Sequence, residues 1–467
     1  MQRRHFLGLS SAVALSPLMA GVVRAAGQPD FVLKAAPATA PLMGADKPAT
    51  DIWAFGGSNP GPLIRIPRGK PVYVRLDNAL AEPTSVHWHG IRIANPMDGV
   101  SGFTQAPVQP GESFDYRFTA PDAGTYWYHS HHRSWEQVAR GLYGVLIVDE
   151  AAPATVEHDL LFVADDWRLD DNGQLEENFG MIGEAAHGGR LGNWLTVNGD
   201  TKPKLMVRAG SRVRLRCVSV ANARVMAFAF PGLNPVIIAL DGQPLATPEP
   251  IGDSLVLAPA QRADLLIDMP SEPGTELLIH EVSVGEPIDA ATFAIAGPAL
   301  RDKPLSSPLI LPANPLSAFE PDLSNAEPVE LLMQGGAMGS LAEASFGGKI
   351  FDMRTLAMEK GRVWAFNGIA GQPSDPLVQI KQGRTLTVNM INDTRWAHAM
   401  HMHGHHFRVV ERNDKPVSGA PWRDTELVQP GEKVRISLVC DNPGKWLFHC
   451  HMLEHHMAGM GTWISVV

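Results

Sequence analysis

The feature that most constrains the fold is a strand pattern that occurs three times along the 467-residue chain. Each copy consists of an apolar strand, a glycine turn and a second strand. Apolar and polar residues alternate on both sides of the turn, as in a hairpin that buries one face. The three copies are PLIRIPRGKPVYVRLDN from Pro62, PKLMVRAGSRVRLRCVS from Pro203 and PLVQIKQGRTLTVNMIN from Pro376.

A threefold repeat of short strands predicts an all-β chain with three consecutive Greek-key β-sandwich domains. The 38 prolines and 44 glycines fit such a turn-rich fold. We place the first domain at residues 27–155, the second at 156–304 and the third at 326–467. The proline- and serine-rich stretch 305–325 is predicted to be a linker between the last two domains.

The first 26 residues are predicted to be an export signal and not part of the fold. Arg3 and Arg4 precede an apolar stretch, and small residues follow at Ala25 and Ala26. This start resembles the twin-arginine type, whose export machinery would be a partner. We therefore expect a periplasmic protein cleaved near Ala25 or Ala26, and an uncleaved membrane anchor is the alternative. No later run is long and apolar enough to span a membrane, so stable membrane association is not expected.

Charge and cysteine content exclude two classes of protein. The formal net charge is −10 and no basic run follows the N-terminus, so nucleic acid is not an expected partner. Three cysteines cannot form a disulfide framework. Cys217 and Cys440 lie in apolar strands and are expected to be buried thiols. The third, Cys450, stands between two histidines near the end of the chain.

Four pairs of histidines are each separated by one residue. Side chains at positions i and i+2 of a strand point to the same side, so each pair can offer two imidazoles to one site. Imidazole is a ligand for copper, zinc, iron and nickel. The pairs are His87 and His89, His129 and His131, His401 and His403, and His449 and His451.

The pairs stand at matching places in the first and third domains. GTYWYHSH from Gly124 matches GKWLFHCH from Gly444, and HWHG from His87 matches HMHG from His401. The middle domain has the lone His280 at the corresponding end. We infer a duplicated sandwich, in which eight imidazoles converge where the first and third domains meet. Eight ligands are too many for one metal ion and could serve a cluster of two or three.

Cys450 points to the opposite face of its strand from the histidines beside it, so its thiolate must serve a different site. His455 and Met460 follow within reach, and His398 adds an imidazole from upstream. Two histidines, one thiolate and a methionine form a blue-copper electron-transfer site. Because a cluster histidine stands on either side of Cys450, this residue can carry an electron from one site to the other.

These motifs together resemble the three-domain bacterial multicopper oxidases, laccase-like and cuprous-oxidase-like, whose domains have the cupredoxin fold. The resemblance rests on HWHG, HSH, HAMHMHGHHF and HCHMLEHHMAGM and covers nearly all of the mature chain. It implies three cupredoxin-like domains, four coppers per chain and O2 reduced to water. It also implies one type 1 copper at His398, Cys450, His455 and Met460, one type 2 copper at His87 and His401, and two type 3 coppers at His89, His129, His131, His403, His449 and His451.

Two further side chains are expected to manage the protons that O2 reduction consumes. Asp98 lies where the family places an aspartate beside the cluster. Many bacterial members have a glutamate directly after the last type 1 histidine, and this chain has His456 there. His456 is therefore a candidate proton relay, acting near the ordinary imidazole pKa of about 6.5. Glu454, on the other side of His455, is not assumed to replace the glutamate.

The electron donor is the least determined part of the prediction. Cuprous oxidases of the family often carry a long insert rich in methionine and histidine, since thioethers select Cu(I). This chain lacks one, so a phenol or aromatic amine is preferred, with Cu(I) or another reduced metal ion as the alternative. The complete ligand set disfavours a copper-free scaffold protein, and the third domain disfavours a copper nitrite reductase. We expect a monomer.

Four methionines at the entry to the third domain are predicted to pack the core or fill loops. A copper-binding methionine patch is the alternative. They are Met333, Met338, Met353 and Met358.

Overall fold

The computed structural model describes residues 27–152, 154–307, 309–417 and 419–467. The predicted export signal, residues 1–26, lies outside the described residues. Six sheets of four or more strands follow one another in pairs along the chain and form three sandwiches. The predicted all-β class with three consecutive cupredoxin-like domains is therefore confirmed. The domain boundaries and the linker at residues 305–325 stay predictions.

The first sandwich contains a sheet with the strand order β2-β1-β4-β6 and a sheet with the order β3-β8-β7-β5. Strands β1 and β4 run parallel, and β5 pairs antiparallel with β7. The strands are β1 Phe31–Ala40, β2 Thr50–Phe55, β3 Gly61–Pro67, β4 Pro71–Asn78, β5 His87–His89, β6 Ser113–Thr119, β7 Gly124–His129 and β8 Tyr143–Asp149.

The middle sandwich has one sheet with the order β10-β9-β12-β17-β14-β15 and one with the order β11-β19-β18-β13-β16. Its strands are β9 His158–Trp167, β10 Trp194–Val197, β11 Lys204–Arg208, β12 Arg212–Ser219, β13 Met226–Ala229, β14 Val236–Leu240, β15 Gln243–Pro250, β16 Leu255–Leu257, β17 Arg262–Asp268, β18 Glu276–Glu281 and β19 Ile288–Ala296.

The third sandwich has one sheet with the order β23-β20-β25-β31-β27-β28, to which β29 is added beside β27, and one with the order β24-β33-β32-β26-β30. A separate hairpin joins β21 and β22. The strands are β20 Glu327–Gly335, β21 Glu343–Phe346, β22 Lys349–Asp352, β23 Trp364–Phe366, β24 Val378–Ile380, β25 Thr385–Asn392, β26 His398–Met402, β27 Phe407–Arg412, β28 Lys415–Pro416, β29 Trp422–Arg423, β30 Thr425–Val428, β31 Lys433–Val439, β32 Gly444–Cys450 and β33 Gly461–Val466.

Short helices occupy the connections between strands. The α-helices are α1 Ser134–Gln137, α2 Ile182–Ala185, α3 Met353–Lys360 and α4 Leu453–Met457, and the 3-10 helices are Asn95–Met97, Pro315–Ala318 and Leu323–Asn325. In the described part of the chain, no helix is long and apolar enough to cross a membrane.

The alternating sequence pattern produces the sandwich cores, because every second side chain of a strand faces inward. In β3, Ile64 and Ile66 are buried, whereas Leu63 and Arg65, which alternate with them, are exposed. The strands that carry the predicted ligands depart from this alternation: β7 is buried along its whole length, and β32 from Trp446 onward. Strands covered on both faces occupy the interior of the molecule, and the candidate site lies there.

Candidate metal centre

The eight paired histidines lie on, or directly after, equivalent strands of the first and third sandwiches. His87 faces His129 where β5 pairs with β7, and His401 faces His449 where β26 pairs with β32. Each strand pair therefore holds two imidazoles side by side. All eight side chains are buried, and His131, at 6% exposure, is the most accessible.

Contacts between the two domains bring the eight rings into one cluster. His87 of the first domain stacks on His403 of the third, with ring centroids 3.9 Å apart, and His89 stacks on His401 at 3.7 Å. The Nε2 atoms of His129 and His451 lie 3.4 Å apart. The predicted convergence of eight imidazoles at the junction of the first and third domains is therefore present in the structure.

Backbone carbonyls hold one ring nitrogen of several cluster histidines. The Nδ1 atom of His87 donates to the Asp98 carbonyl at 2.7 Å, and that of His401 to the Asp424 carbonyl at 2.8 Å. This leaves the Nε2 atoms of these two histidines buried without any hydrogen-bond partner. The Nδ1 atoms of His89 and His451 are also buried without a hydrogen-bond partner. A buried, unpaired lone pair is unfavourable, and a metal ion is a partner that can take it up.

The protonation states suit metal binding as well. Burial is the main cause that lowers the pKa of seven cluster histidines well below the ordinary imidazole value, and neighbouring imidazoles add to the effect. The neutral imidazole is the form that binds a metal ion. The same lowering applies to His89, His129, His131, His401, His403, His449 and His451.

A second group of ligand atoms lies on the other face of β32. The Cys450 sulfur is 3.7 Å from the Nδ1 atoms of both His398 and His455, which are 3.1 Å apart. Burial raises the pKa of the Cys450 thiol to about 12, so it stays protonated unless a cation displaces the proton. Met460 is buried beside them, and its backbone bonds to Cys450 and His455. The four predicted type 1 residues are thus gathered in one place.

A segment of the middle domain covers this second group of ligand atoms. Three successive carbonyls, those of Ala185, Ala186 and His187, accept hydrogen bonds from the third domain. The donors are Trp364 Nε1 at 2.6 Å, the Ala337 amide at 2.6 Å and His455 Nε2 at 2.8 Å. We call residues 182–188 the covering segment. Because its backbone lies against the outer nitrogen of His455, that histidine has no exposed surface.

Asp98 lies at the edge of the cluster, where the family resemblance leads us to expect an aspartate. Its carboxylate oxygens are both 3.1 Å from the Nδ1 atom of His403, and Oδ1 is 3.3 Å from that of His87. Burial raises the pKa of Asp98, and the hydrogen bond with His87 partly offsets this. One carboxylate therefore contacts a histidine from each of the two domains.

His456 lies outside the cluster with its ring against that of His449, at 4.3 Å between centroids. Burial, with a contribution from Arg362, lowers the pKa of His456 to about 4. This pKa is well below the value near 6.5 at which a relay was expected to act. The surroundings of His456 therefore disfavour its protonation near pH 6.5. Glu454 is buried and accepts a hydrogen bond from Asn222. The relay role of His456 stays a prediction.

Sequence reasoning missed Asp424, which lies between β29 and β30. Its Oδ1 atom is 3.2 Å from His89 Nε2, and its carbonyl accepts from His401. Asp424 thus occupies on one side of the cluster the place that Asp98 occupies on the other. Burial opposes ionisation of Asp424, yet the adjacent Arg262 guanidinium keeps its pKa below the ordinary value. Asp424 belongs to no sequence motif. Because the first and third domains are duplicates, Asp98 beside one side of the cluster could have indicated a matching aspartate beside the other.

The packing prediction for the entry methionines is wrong for two of the four. Met333 is fully buried, but Met338 and Met358 are 74% and 77% exposed. Met338 follows strand β20 with a backbone φ of 62°, and Met358 lies on the outer face of α3. By contrast, Cys217 and Cys440 are buried thiols, as expected.

Family models described as multicopper oxidase match residues 39–153, 159–283 and 349–467. Multicopper oxidase MmcO of Mycobacterium tuberculosis is 30% identical over 90% of this chain and 84% of its own length. A multi-copper oxidase structure from Pseudomonas thermotolerans has 34% identity and a TM-score of 0.79, covering 94% of this chain and all of that one.

The structure of Lac15 from a marine microbial metagenome is 37% identical, with a TM-score of 0.74, and covers 93% of this chain and 100% of that one. Other matching proteins carry the names of laccases and of copper resistance proteins. Copper is the cofactor that this family implies, and the buried, unpaired imidazole nitrogens and the buried thiol fit it. On these matches, and with this site, the chain belongs to the multicopper oxidase family.

Proposed function

We propose that the protein removes single electrons from a reducing substrate at His398, Cys450, His455 and Met460 and reduces O2 to water at the eight-histidine cluster. The proposal rests on the position of Cys450 between the two groups of ligands. Its sulfur lies 3.7 Å from the Nδ1 atoms of His398 and His455, and its two neighbours in the chain, His449 and His451, belong to the cluster. An electron accepted at the sulfur therefore has a short covalent route to the place where O2 is consumed.

The proposed ligand sets follow the motif matches. His398, Cys450, His455 and Met460 would hold a type 1 copper, His87 and His401 a type 2 copper, and the six remaining histidines two type 3 coppers: His89, His129, His131, His403, His449 and His451. Copper bound there would supply one-electron redox chemistry. The chain contributes a buried site without bulk water, imidazoles fixed in the correct tautomer by carbonyls and carboxylates, and an electron path along one strand.

Reduction of O2 to two waters takes up four electrons and four protons, so the residues must also supply protons. We assign this role to the Asp98 carboxylate, which lies within hydrogen-bond distance of Nδ1 of both His87 and His403. A proton held on an Asp98 oxygen is separated from the cluster by one imidazole ring. His456 remains a second candidate, because its ring packs against that of His449.

The preferred donor is a phenol or aromatic amine. Since the covering segment blocks the outer nitrogen of His455, we infer that the donor does not touch this ring and acts across the His187 carbonyl. The exposed His187 ring lies 5.3 Å from the partly exposed Trp396 ring, a surface on which a flat aromatic donor can stack. Cu(I) is the second candidate, and the exposed thioethers of Met338 and Met358 favour it.

Metal analysis and steady-state O2 uptake test the proposal. We expect about four coppers per chain, whereas about two would indicate a nitrite reductase and none a scaffold protein. O2 uptake would be measured with 2,6-dimethoxyphenol and with stabilised Cu(I), each with and without added Cu(II). Phenol turnover without added Cu(II) supports the aromatic donor. Phenol turnover only with excess Cu(II), together with fast Cu(I) oxidation, would contradict it.

A methionine variant separates the two donors further. Replacing Met338 and Met358 by serine should leave phenol oxidation unchanged under the preferred assignment and should slow Cu(I) oxidation under the alternative. Periplasmic location, twin-arginine export and the monomeric state stay predictions.

A further inference from the structure

The middle domain, which supplies none of the predicted copper ligands, contacts an aspartate beside the cluster through Arg262. Arg262 begins strand β17 and is fully buried. Its Nη1 and Nη2 atoms donate to the two carboxylate oxygens of Asp424 at 2.8 and 2.6 Å. Such a bidentate pair fixes the orientation of the carboxylate as well as its charge.

The Asp424 carboxylate contacts one predicted ligand histidine of the first domain and one of the third. Asp424 Oδ1 lies 3.2 Å from His89 Nε2 and 3.6 Å from His401 Nδ1. The hydroxyl of Thr425 donates to the same oxygen at 2.8 Å and lies 3.1 Å from His401 Nδ1. The rings of His89 and His401 are the closest stacked pair between the two domains, at 3.7 Å. The position of Asp424 therefore decides how these two rings present their free nitrogens.

Arg262 is itself held from several sides, so it can act as a fixed support. Its Nε atom donates to the carbonyl of Thr125 in the first domain at 3.2 Å, and its backbone amide donates to Asp241 Oδ1 at 2.9 Å. The guanidinium carbon lies 5.7 Å from the centre of the Tyr126 ring. One side chain of the middle domain thus contacts both the first and the third domain.

The glycine of the HWHG motif is a consequence of this arrangement. Gly90 has a φ of +84°, and a Cβ atom there would collide with Arg262 Nη2 and approach Asp424 Oδ2 to 2.5 Å. The turn that follows His89 therefore passes directly against the ion pair. No arginine stands in the equivalent place at Asp98, whose ionic contacts in the described part of the chain are with His87 and His403.

We propose that Arg262 is a positioning residue for the copper cluster: by holding Asp424 against His89 and His401, it aligns these two histidines for metal binding. This inference rests on the proposed function, because it assumes that the eight histidines bind copper. It assigns to the middle domain a direct part in building the cluster. Asp98, which has no arginine partner among the described residues, would then supply protons, and Asp424 would hold His89 and His401 in place.

The test compares Arg262→Gln with a matched control, Arg214→Gln. Arg214 is also buried and also links two domains, since it bonds to Asp264 in the middle domain and Glu150 in the first. None of its hydrogen bonds in the described part of the chain involves a cluster histidine. Copper per chain, the blue absorption and the type 2 EPR signal would be measured after dialysis against graded chelator concentrations.

We expect Arg262→Gln to keep the blue absorption and to hold cluster copper about 10–100-fold more weakly, the usual effect of removing an outer partner of a ligand histidine. Arg262→Lys, which keeps the charge and loses the bidentate geometry, should give an intermediate loss with an altered type 2 EPR signal. Arg214→Gln should retain all copper. Unfolding of the copper-free proteins should be affected similarly by the two glutamine variants, which separates ligand alignment from general destabilisation.

Full retention of cluster copper with an unchanged type 2 signal in Arg262→Gln would overturn the inference, as would equal copper loss in Arg214→Gln. Should Arg262→Gln fail to fold, Asp424→Asn provides the same test, because the amide keeps the shape and weakens the contact with His89. Unaltered copper affinity in that variant also overturns the inference. Absence of copper from the wild-type protein would contradict the proposed function instead.

Discussion

Cys450 links the two sites through two different parts of one residue. Its sulfur faces His398 and His455, and its backbone lies in the strand that carries His449 and His451. Period-two geometry of a strand makes this possible, since neighbouring side chains point to opposite faces.

Replacing Cys450 by serine should abolish the blue absorption and all oxidase turnover while cluster copper is largely retained. The reason is that the thiolate both produces the colour and begins the electron path. The control is Cys440→Ser, which also removes a fully buried thiol of the third domain. Visible spectra, copper analysis and O2 uptake report the result. Normal turnover in Cys450→Ser would refute the role given to Cys450.

Met460→Leu should keep the blue colour and raise the potential of the type 1 site. Met460 is fully buried, so leucine fills its volume without bringing in water. Loss of a weak axial donor disfavours Cu(II) relative to Cu(I), and the axial ligand tunes the potential. A redox titration measures the change, and an unchanged or lower potential would remove Met460 from the axial position.

At the scale of elements, the covering segment lies over His455 of the proposed type 1 site and buries its outer nitrogen. Three consecutive carbonyls of the middle domain accept hydrogen bonds from Trp364, Ala337 and His455 of the third. The ring of Trp364 also packs on both His398 and His455, at 5.0 and 4.7 Å between centroids. The covering segment therefore depends on the third domain for its position, and the His455 side chain depends on the segment for its burial.

Trp364→Phe should lower the free energy of unfolding by about 1 kcal/mol, because the buried Ala185 carbonyl loses its donor while the ring packing is kept. Hydrogen exchange of the amides in residues 185–189 should become faster. Trp396→Phe is the control, since its indole bonds to the Ala337 carbonyl at 3.2 Å in a more exposed place. Equal exchange rates in wild type and Trp364→Phe would show that this bond does not hold the segment.

At the scale of the whole molecule, the domains are joined by buried polar contacts that make stability depend on pH. Tyr143 at the start of β8 bonds to Asp165 of β9, with 2.6 Å between the hydroxyl and Oδ2, and lies 3.1 Å from the Asn59 amide oxygen. Burial raises the pKa of Asp165 to about 8, so the folded protein keeps this carboxyl protonated at neutral pH. The protonated acid can donate to the Tyr143 oxygen, which in turn donates to Asn59.

Because the folded-state pKa of Asp165 lies above the unfolded one, the folded protein binds more protons, and stability from this group falls as pH rises from about 4 to about 8. Asp165→Asn, a permanent donor, should remove that loss and raise the free energy of unfolding by about 1–3 kcal/mol at pH 8. It should have little effect near pH 4. Thermal unfolding of the two proteins across this pH range measures the difference.

The control variant, Asp159→Asn, is expected to change the stability in the opposite direction. Burial opposes ionisation of Asp159, but its bonds to Arg216 and Arg65 keep its pKa below the ordinary value. Asp159→Asn should therefore destabilise the protein at neutral pH. A stability gain in Asp165→Asn that did not grow with pH would contradict the assignment of a raised pKa.

The sequence by itself determined the fold class and the candidate ligands, because both depend on local periodicity. Alternation in the threefold repeat predicts half-buried strands and so the sandwiches. Two histidines spaced by one residue share a strand face, whatever the rest of the chain does, and Cys450 between them must face the other way. The match between HWHG and HMHG assigns one half of the cluster to the first domain and the other half to the third.

Only the tertiary structure decided what surrounds those ligands, because these contacts join residues far apart in the chain. Asp424 and Arg262 are separated by 162 positions, and the His187 carbonyl that covers His455 by 268. No local pattern encodes such pairs. The exposure of Met338 and Met358 and the low pKa of His456 likewise follow from how elements pack. Periodicity fixes which face of a strand a side chain occupies, whereas the partner on that face depends on how three domains fit together.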